Sequence, residues 1–517
     1  MEFARCLIFL LFITFGRTED EQIQVETKIV TTPSGPVKGL KLENPQTGKQ
    51  LYEFKGIPYG KPPVGPLRFK RPVPVDKWEE TLDATTFGAA CPQFIYEMMA
   101  DFAPPKMSED CLFINVYVPL GVDLNSNLPV MVWIYGGGLT IGYADQYDGG
   151  WMATEGNVIV VTLNYRINLF GFLALDHPAA KGNYGLWDQK LALQWVHDNI
   201  HAFGGNPELV TIFGESAGGW STSFHSLIPS NRGLFKRVIS QSGVVGRTNL
   251  LSKKMIQESI KDLSNKTLCP TEDMVKFVDC LRGKSMNELI KTTDFISSQP
   301  KDKIEFLTRY QPVVDGDLFP DHPIRRLEDN NSEESKFFKS LDFLTGTTSN
   351  EGSFLYMMIM PDMQEHYGLN ITEGVTSKFV CEGVVSAFVD TYVNGDSDIK
   401  KKLCEYYTVH DSLADQARRG TDFMADTMFD FSAIKMLELH VSSEGKTFHY
   451  VFSKSNDEPL FGPPPPWYQG VGHGEDLRYM FDIGTMFPSL KGTNLSEKDK
   501  EFSKRLMRYW TSFAISG

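Results

Sequence analysis

Positive charge is in short supply in this sequence. Among 517 residues, 51 Lys and Arg stand against 65 Asp and Glu, a formal net charge of −14. A surface of that sign repels phosphate backbones and anionic lipid, so nucleic acid and anionic membranes are poor partners. Long apolar runs are also scarce. The run from Cys6 to Phe15 is too short to cross a bilayer as a helix. With Arg5 before it and the small residues Thr14 and Gly16 at its end, it reads as a signal peptide over residues 1–16, with Thr18 as the other cleavage point. No later segment reads as a transmembrane helix or a hydrophobic anchor tail. No C-x-x-C or His-rich spacing occurs, so neither a metal nor another cofactor is expected. Repeats, low-complexity tracts and domain-separating linkers are missing as well, and residues 17–517 are expected to form one domain.

Cysteine is sparse. Once Cys6 leaves with the signal, Cys91, Cys111, Cys269, Cys280, Cys381 and Cys404 remain. Six cysteines allow fifteen pairings, and spacing does not choose among them. Export makes disulfides feasible and places the protein outside the cell or in the lumen of the secretory pathway, the endoplasmic reticulum included. N-x-[ST] sequons at Asn265, Asn330, Asn370 and Asn494 are glycosylation candidates that fit this route, although such tripeptides also arise by chance.

The chain has ample material for a core, with 41% hydrophobic and 22% charged residues. Alternating, turn-rich segments at 25–31, 36–40 and 51–57 predict an antiparallel sheet edge. From residue 112 onward strand and helix patterns alternate. Strands are read at 112–118, 130–135, 158–164, 209–213, 237–241, 341–345 and 447–452. Asp188 is read as the cap of a helix whose apolar face is Ala192, Trp195, Val196, Ile200 and Phe203. Residues 250–335 read as a helical insertion above the sheet. Such alternation predicts an α/β fold with a mostly parallel central sheet flanked by helices.

The chemistry centres on L-V-T-I-F-G-E-S-A-G-G-W, residues 209–220. A strand that runs into G-x-S-x-G and then a helix makes a nucleophile elbow, a turn so tight that only small residues fit beside Ser216. The pattern alone is weak, and a glycine-rich helix start is its bland alternative. A serine hydroxyl needs a base, and in elbow folds the partners follow in the order serine, carboxylate, histidine. His473, between two glycines on a loop after the last strand, is better placed than His440 at a helix end or His449 inside a strand pattern. Glu351 follows the 341–345 strand at its carboxyl end, where catalytic groups collect; a helix-start carboxylate is the alternative. The run W-I-Y-G-G-G-L at 133–139 brings bare backbone N–H groups to a strand end, as an oxyanion hole requires.

These motifs resemble the carboxylesterase and cholinesterase family of α/β-hydrolases from about Pro33 to the end of the chain. The resemblance is carried by F-K-G-I-P-Y-G at Phe54, S-E-D-C-L-F-I-N-V-Y-V-P at Ser108, F-G-G-N-P-E-L-V-T-I-F-G-E-S-A-G at Phe203, S-N-E-G at Ser349 and G-H-G-E-D-L-R-Y-M-F at Gly472. It implies an α/β-hydrolase fold with helical insertions forming a gorge. It also implies a serine carboxylesterase acting on small-molecule esters through an acyl-enzyme. In that family Ser216 is the nucleophile, His473 the general base, Glu351 its orienting acid, and Gly137, Gly138 and Ala217 the oxyanion donors. It further implies disulfides Cys91–Cys111 and Cys269–Cys280 and a structural ion pair between Arg68 and Glu109. For Cys381 and Cys404, a mutual bond and a reduced state both stay open.

The sequence departs from the family's pattern in three places. Cholinesterases carry a tryptophan between their first two cysteines, whereas residues 92–110 hold Phe94, Tyr96 and Phe102, with Asp101 at the matching offset. Choline esters are therefore not the expected main substrate. Leu139 stands where many relatives have phenylalanine, and is expected to widen the pocket mouth. Relatives also continue past the last helix, so the extreme C-terminal segment is expected to be missing. Two further readings share the fold: a catalytically silent, cholinesterase-like adhesion protein, and a lipase or thioesterase. Glu215, next to the serine, is read as a pocket carboxylate of unassigned role.

Overall fold

The β-branched and aromatic runs of the sequence build one sheet, described here from the computed structural model. It describes residues 26–517 except 97–99, 101–102, 295–303, 305–308, 409–411, 457 and 488–494. The predicted signal peptide, Asp101, Phe102 and Asn494 lie outside the described residues. The strands are β1 (Thr27–Thr32), β2 (Gly35–Glu43), β3 (Gln50–Pro58), β4 (Phe113–Pro119), β5 (Leu128–Ile134), β6 (Ile159–Leu163), β7 (Gly205–Glu215), β8 (Arg237–Gln241), β9 (Asp342–Thr348) and β10 (Thr447–Phe452). They lie in the order β1-β2-β3-β4-β6-β5-β7-β8-β9-β10, with a short Leu82–Asp83 strand pairing beside β2.

Along that order every pairing from β6 to β10 is parallel and every pairing from β1 to β6 is antiparallel, while the short Leu82–Asp83 strand pairs parallel with β2. The expected antiparallel edge and parallel centre are both present. The centre is buried on both faces: Val130 to Ile134, Ile159 to Val161, and Ile212 and Phe213 are all fully covered. That is why these strands read as continuous apolar runs rather than alternating ones.

Helices cover the faces. α1 (Tyr184–Asn199) precedes β7, and α2 (Ala217–His225) follows it. Within 250–335 the expected helices include α3 (Lys253–Thr267) and α4 (Met274–Arg282), which pack Leu263, Phe277 and Leu281 into the main core, whereas residues 309–322 are not helical. α5 (Leu413–Ala425), α6 (Phe431–His440) and the last helix, α7 (Glu497–Ser516), complete the outer layer.

Two features differ from the sequence reading. Asp188 does not cap α1: it lies one turn inside the helix, buried, with both carboxylate oxygens 2.7 Å from the Arg166 guanidinium. A buried charge needs a paired partner, and here pairing outweighs capping. The 355–424 region also has a satellite core of its own, built on Leu355, Met360, Phe379, Val380, Val384 and Phe423. The Cys381–Cys404 disulfide fastens it (Cα–Cα 5.1 Å), which answers the question the sequence left open.

Candidate active site

Ser216 stands between the end of β7 and the start of α2 with φ 57° and ψ −123°. A non-glycine residue held there is strained by roughly 1–3 kcal/mol, and its surroundings must impose the conformation. They do so by close approach. A Cβ on Gly214 would lie 2.5 Å from the Ile134 carbonyl oxygen, and one on Gly218 would lie 2.0 Å from it. The Ser216 N–H donates to the Gln241 carbonyl oxygen at 2.9 Å, and the Ser216 carbonyl accepts from Trp220 N–H at 2.9 Å. Ser216 keeps solvent access while Glu215 and Ala217 on either side are buried.

The glycine run leaves β5 and passes over this turn. A Cβ on Gly136 would come 3.1 Å from Ser216 Cβ and 2.6 Å from the Glu215 carbonyl oxygen. Gly137 and Gly138 adopt φ of 96° and 64°, in the left-handed region that favours glycine. Among the described residues, no backbone oxygen accepts from the N–H of either one. Ala217 is the first residue of α2, so its N–H also lies outside the helical ladder. Leu139, which follows the glycine run, is buried.

His473 reaches the site on the loop that follows β10. Its N–H donates to Ser353 Oγ at 3.1 Å, and Nδ1 lies 2.5 Å from Glu351 Oε2. A carboxylate only accepts, so Nδ1 carries the hydrogen. Glu351 is fully buried, and its other oxygen accepts from Thr348 N–H at 2.6 Å. The His473 Nε2 atom is 3.1 Å from Glu215 Oε1, an ion-pair distance at an angle too poor for a hydrogen bond. Phe354 and Phe429 flank the imidazole, each with its ring centroid 4.8 Å away.

The electrostatics follow from this packing. Burial pulls the His473 pKa down, but the charges of Glu215 and Glu351 outweigh it and raise the group to about 9. Burial pushes Glu215 up to about 8 despite His473 beside it. Burial also pushes Glu351 up, yet the His473 charge and the hydrogen bonds from His473 and Thr348 hold it below the usual carboxylate range.

Ser216 and Ala217, Gly137 and Gly138, and Glu351 thus each follow the carboxyl end of a parallel strand, and His473 meets Glu351 and, next to Ser216, Glu215. The competing histidines do not. His440 is buried as the last residue of α6, with Nδ1 2.7 Å from Thr447 Oγ1, and His449 is exposed on β10. The sequence reading missed the contact between Glu215 and His473, for which the G-E-S order was the available signal. Nothing in the sequence marked Phe429.

Away from the site, the disulfides Cys91–Cys111 and Cys269–Cys280 are formed. Arg68 Nε donates to Glu109 Oε2 at 2.6 Å, while Nη1 donates to the Leu281, Arg282 and Lys284 carbonyls at the end of α4. This ion pair therefore joins the two disulfide regions. Asn265, Asn330 and Asn370 are exposed. Among the described residues, no helix is long and apolar enough to cross a membrane.

Residues 26–517 match the model of the carboxylesterase family. The chain is 35% identical over 504 residues to the acetylcholinesterase of Bungarus fasciatus, covering 94% of this chain and 78% of that protein. It is 34% identical over 526 residues to the cholinesterase of Mus musculus, covering 99% and 81%. It is 33% identical over 509 residues to carboxylesterase 1D of Rattus norvegicus, covering 95% and 85%. The identities are alike, so overall similarity does not choose between cholinesterases and carboxylesterases. Strand order, elbow and whole-length match agree: the chain belongs to the carboxylesterase family.

Proposed function

We propose that the protein is a serine carboxylesterase in which Ser216 is the nucleophile, His473 the general base and Glu351 the residue that orients it. One observation carries this reading. The strained, solvent-reachable Ser216 directly follows Glu215, whose carboxylate lies 3.1 Å from the Nε2 of a histidine whose Nδ1 is fixed by a second buried carboxylate. An ester carbonyl placed over the elbow meets Ser216 Oγ. His473 Nε2 turns from Glu215 to take the hydroxyl proton, and the C–O bond to the serine forms. Gly137, Gly138 and Ala217 N–H groups hold the oxyanion, each donor contributing about 3–4 kcal/mol to the transition state. The protonated imidazole then gives its proton to the departing alcohol. A water molecule, deprotonated by the same nitrogen, releases the acid and frees Ser216. Glu351 stays ionised and steadies the imidazolium.

Within this reading the substrate is a small-molecule ester without a choline group, because residues 92–110 contain no tryptophan. Three disulfides support passage through the secretory pathway. The test is Ser216→Ala. Hydrolysis of a simple aryl acetate should fall by about 10,000-fold or more, with loss of covalent labelling by an organophosphate. Retained hydrolysis would move the nucleophile elsewhere. A native protein that takes no label and turns over no ester would favour the adhesion role. Rates across esters of graded acyl and alcohol size would separate an esterase from a lipase or thioesterase.

A further inference from the structure

Beneath the histidine loop lies a chain of three buried polar side chains that the proposed reaction does not use. The Trp510 indole on α7 donates through Nε1 to Gln241 Oε1 at 3.0 Å. Gln241 Nε2 donates in turn to Asp476 Oδ2 at 2.8 Å. Asp476 lies three residues after His473, and all three groups are shielded from solvent. An indole N–H can only donate, so it must face the amide oxygen and thereby decides which way the amide points. The NH2 end is left facing Asp476. A group that receives this donor is an acceptor, and the carboxylate form suits it. The other Asp476 oxygen, Oδ1, makes no hydrogen bond among the described residues. Gln241 holds the nucleophile as well, since its carbonyl takes the Ser216 N–H and its strand pairs with Glu215 on one side and Gly346 on the other.

We infer that Gln241, oriented by Trp510, is a positioning residue that holds Asp476 as a hydrogen-bond acceptor and so fixes the negative charge beneath His473. The inference rests on the proposed roles of Ser216 and His473. Charged and titratable groups face this cluster from several elements: Glu215 from β7, Glu351 from the turn after β9, Tyr450 from β10, and His473 above. Tyr147 in turn faces Glu215, and Asp430 faces Glu351. Burial pushes Asp476 up to about 6 while the Gln241 hydrogen bond works against that rise. Losing the donor would therefore raise Asp476 further, into the range where His473 titrates. The imidazolium would then lose a counter-charge, and His473 would become a free base at lower pH.

The test uses Gln241→Met, which keeps volume and removes the donor, and Trp510→Phe, which keeps an aromatic side chain and removes the N–H. Both are read by the pH profile of kcat/KM on an aryl acetate and by NMR titration of the His473 ring. In both variants the acid limb and the His473 titration should move down by about half a pH unit, with kcat lowered several-fold and KM changed less. Asp476→Asn should shift the limb the same way, and Gln241→Met added to it should cause no further shift. Profiles that stay at the wild-type position would overturn the inference, and so would an equal further shift in the Asp476→Asn background. Trp510→Phe is the milder change and decides the matter if Gln241→Met does not fold. The NMR titration needs no substrate, so a failure of the esterase reading, seen as absent turnover and labelling in the native protein, stays distinguishable from a failure here.

Discussion

Gly352 sits directly against Thr421: a Cβ on the glycine would lie 2.0 Å from the threonine carbonyl oxygen. Gly352 follows Glu351, and Ser353 after it receives the His473 N–H. Thr421 belongs to α5, which contributes Phe423 to the satellite core. The 355–424 region therefore presses directly on the turn that carries the carboxylate.

Gly352→Ala should push that turn off α5 and tilt Glu351 away from His473. Overpacking of this kind costs about 1–3 kcal/mol of stability. A misplaced base should lower kcat/KM by about ten-fold or more. Denaturant unfolding and steady-state kinetics on the same preparation check both. Unchanged kinetics would show that the contact does not position the acid.

Glu215→Gln should move the acid limb of kcat/KM to lower pH. Glu215 and Glu351 together hold His473 above its ordinary value of 6.5, against the pull of burial. Removing one carboxylate lowers the pKa. The stability effect has the same sign for both partners. His473 and Glu215 each bind a proton more tightly folded than unfolded, so their contribution is present at low pH and lost as pH rises towards about 9. The variant should show a flatter decline in melting temperature between pH 5 and 9 (roughly the window between the ordinary and raised values).

Asp188→Ala should destabilise the fold by about 3–5 kcal/mol, because it leaves the Arg166 guanidinium buried without its partner. Replacing both residues with apolar side chains should recover most of that loss. A double-mutant cycle in denaturant measures the difference.

Replacing Cys381 and Cys404 by serine should cost about 2–4 kcal/mol. The loss should concentrate in the satellite core, with limited proteolysis cutting first between residues 379 and 407. Equal cleavage throughout the chain would show that the region does not open separately.

Much of this was legible in the sequence, for physical reasons that differ by element. Strands β5 to β9 are buried on both faces, so their apolar runs left little ambiguity about where the sheet would lie. Ser216 announced itself through Gly214 and Gly218, whose missing side chains the Ile134 carbonyl requires. His473 was recognisable from its glycine-flanked loop. Asp188 was misread because a carboxylate near a helix start looks the same whether it caps or pairs with a distant Arg166. The Cys381–Cys404 bond and the Phe354 and Phe429 contacts depend on how the satellite core folds back. Local pattern carries no trace of such long-range meetings.

The parallel half of the sheet has one more consequence. Glu351 and His473 meet across 122 positions of sequence, and the Ser216 turn is held by the β5 strand end before it and by Gln241 after it. No fragment of the chain assembles these groups, because each arrives on a different strand end. Under the proposed roles, the fraction of molecules that takes an organophosphate label counts chains folded through to the last strand. During refolding, labelling should rise in step with the slowest closure of the sheet, later than helix content recovers.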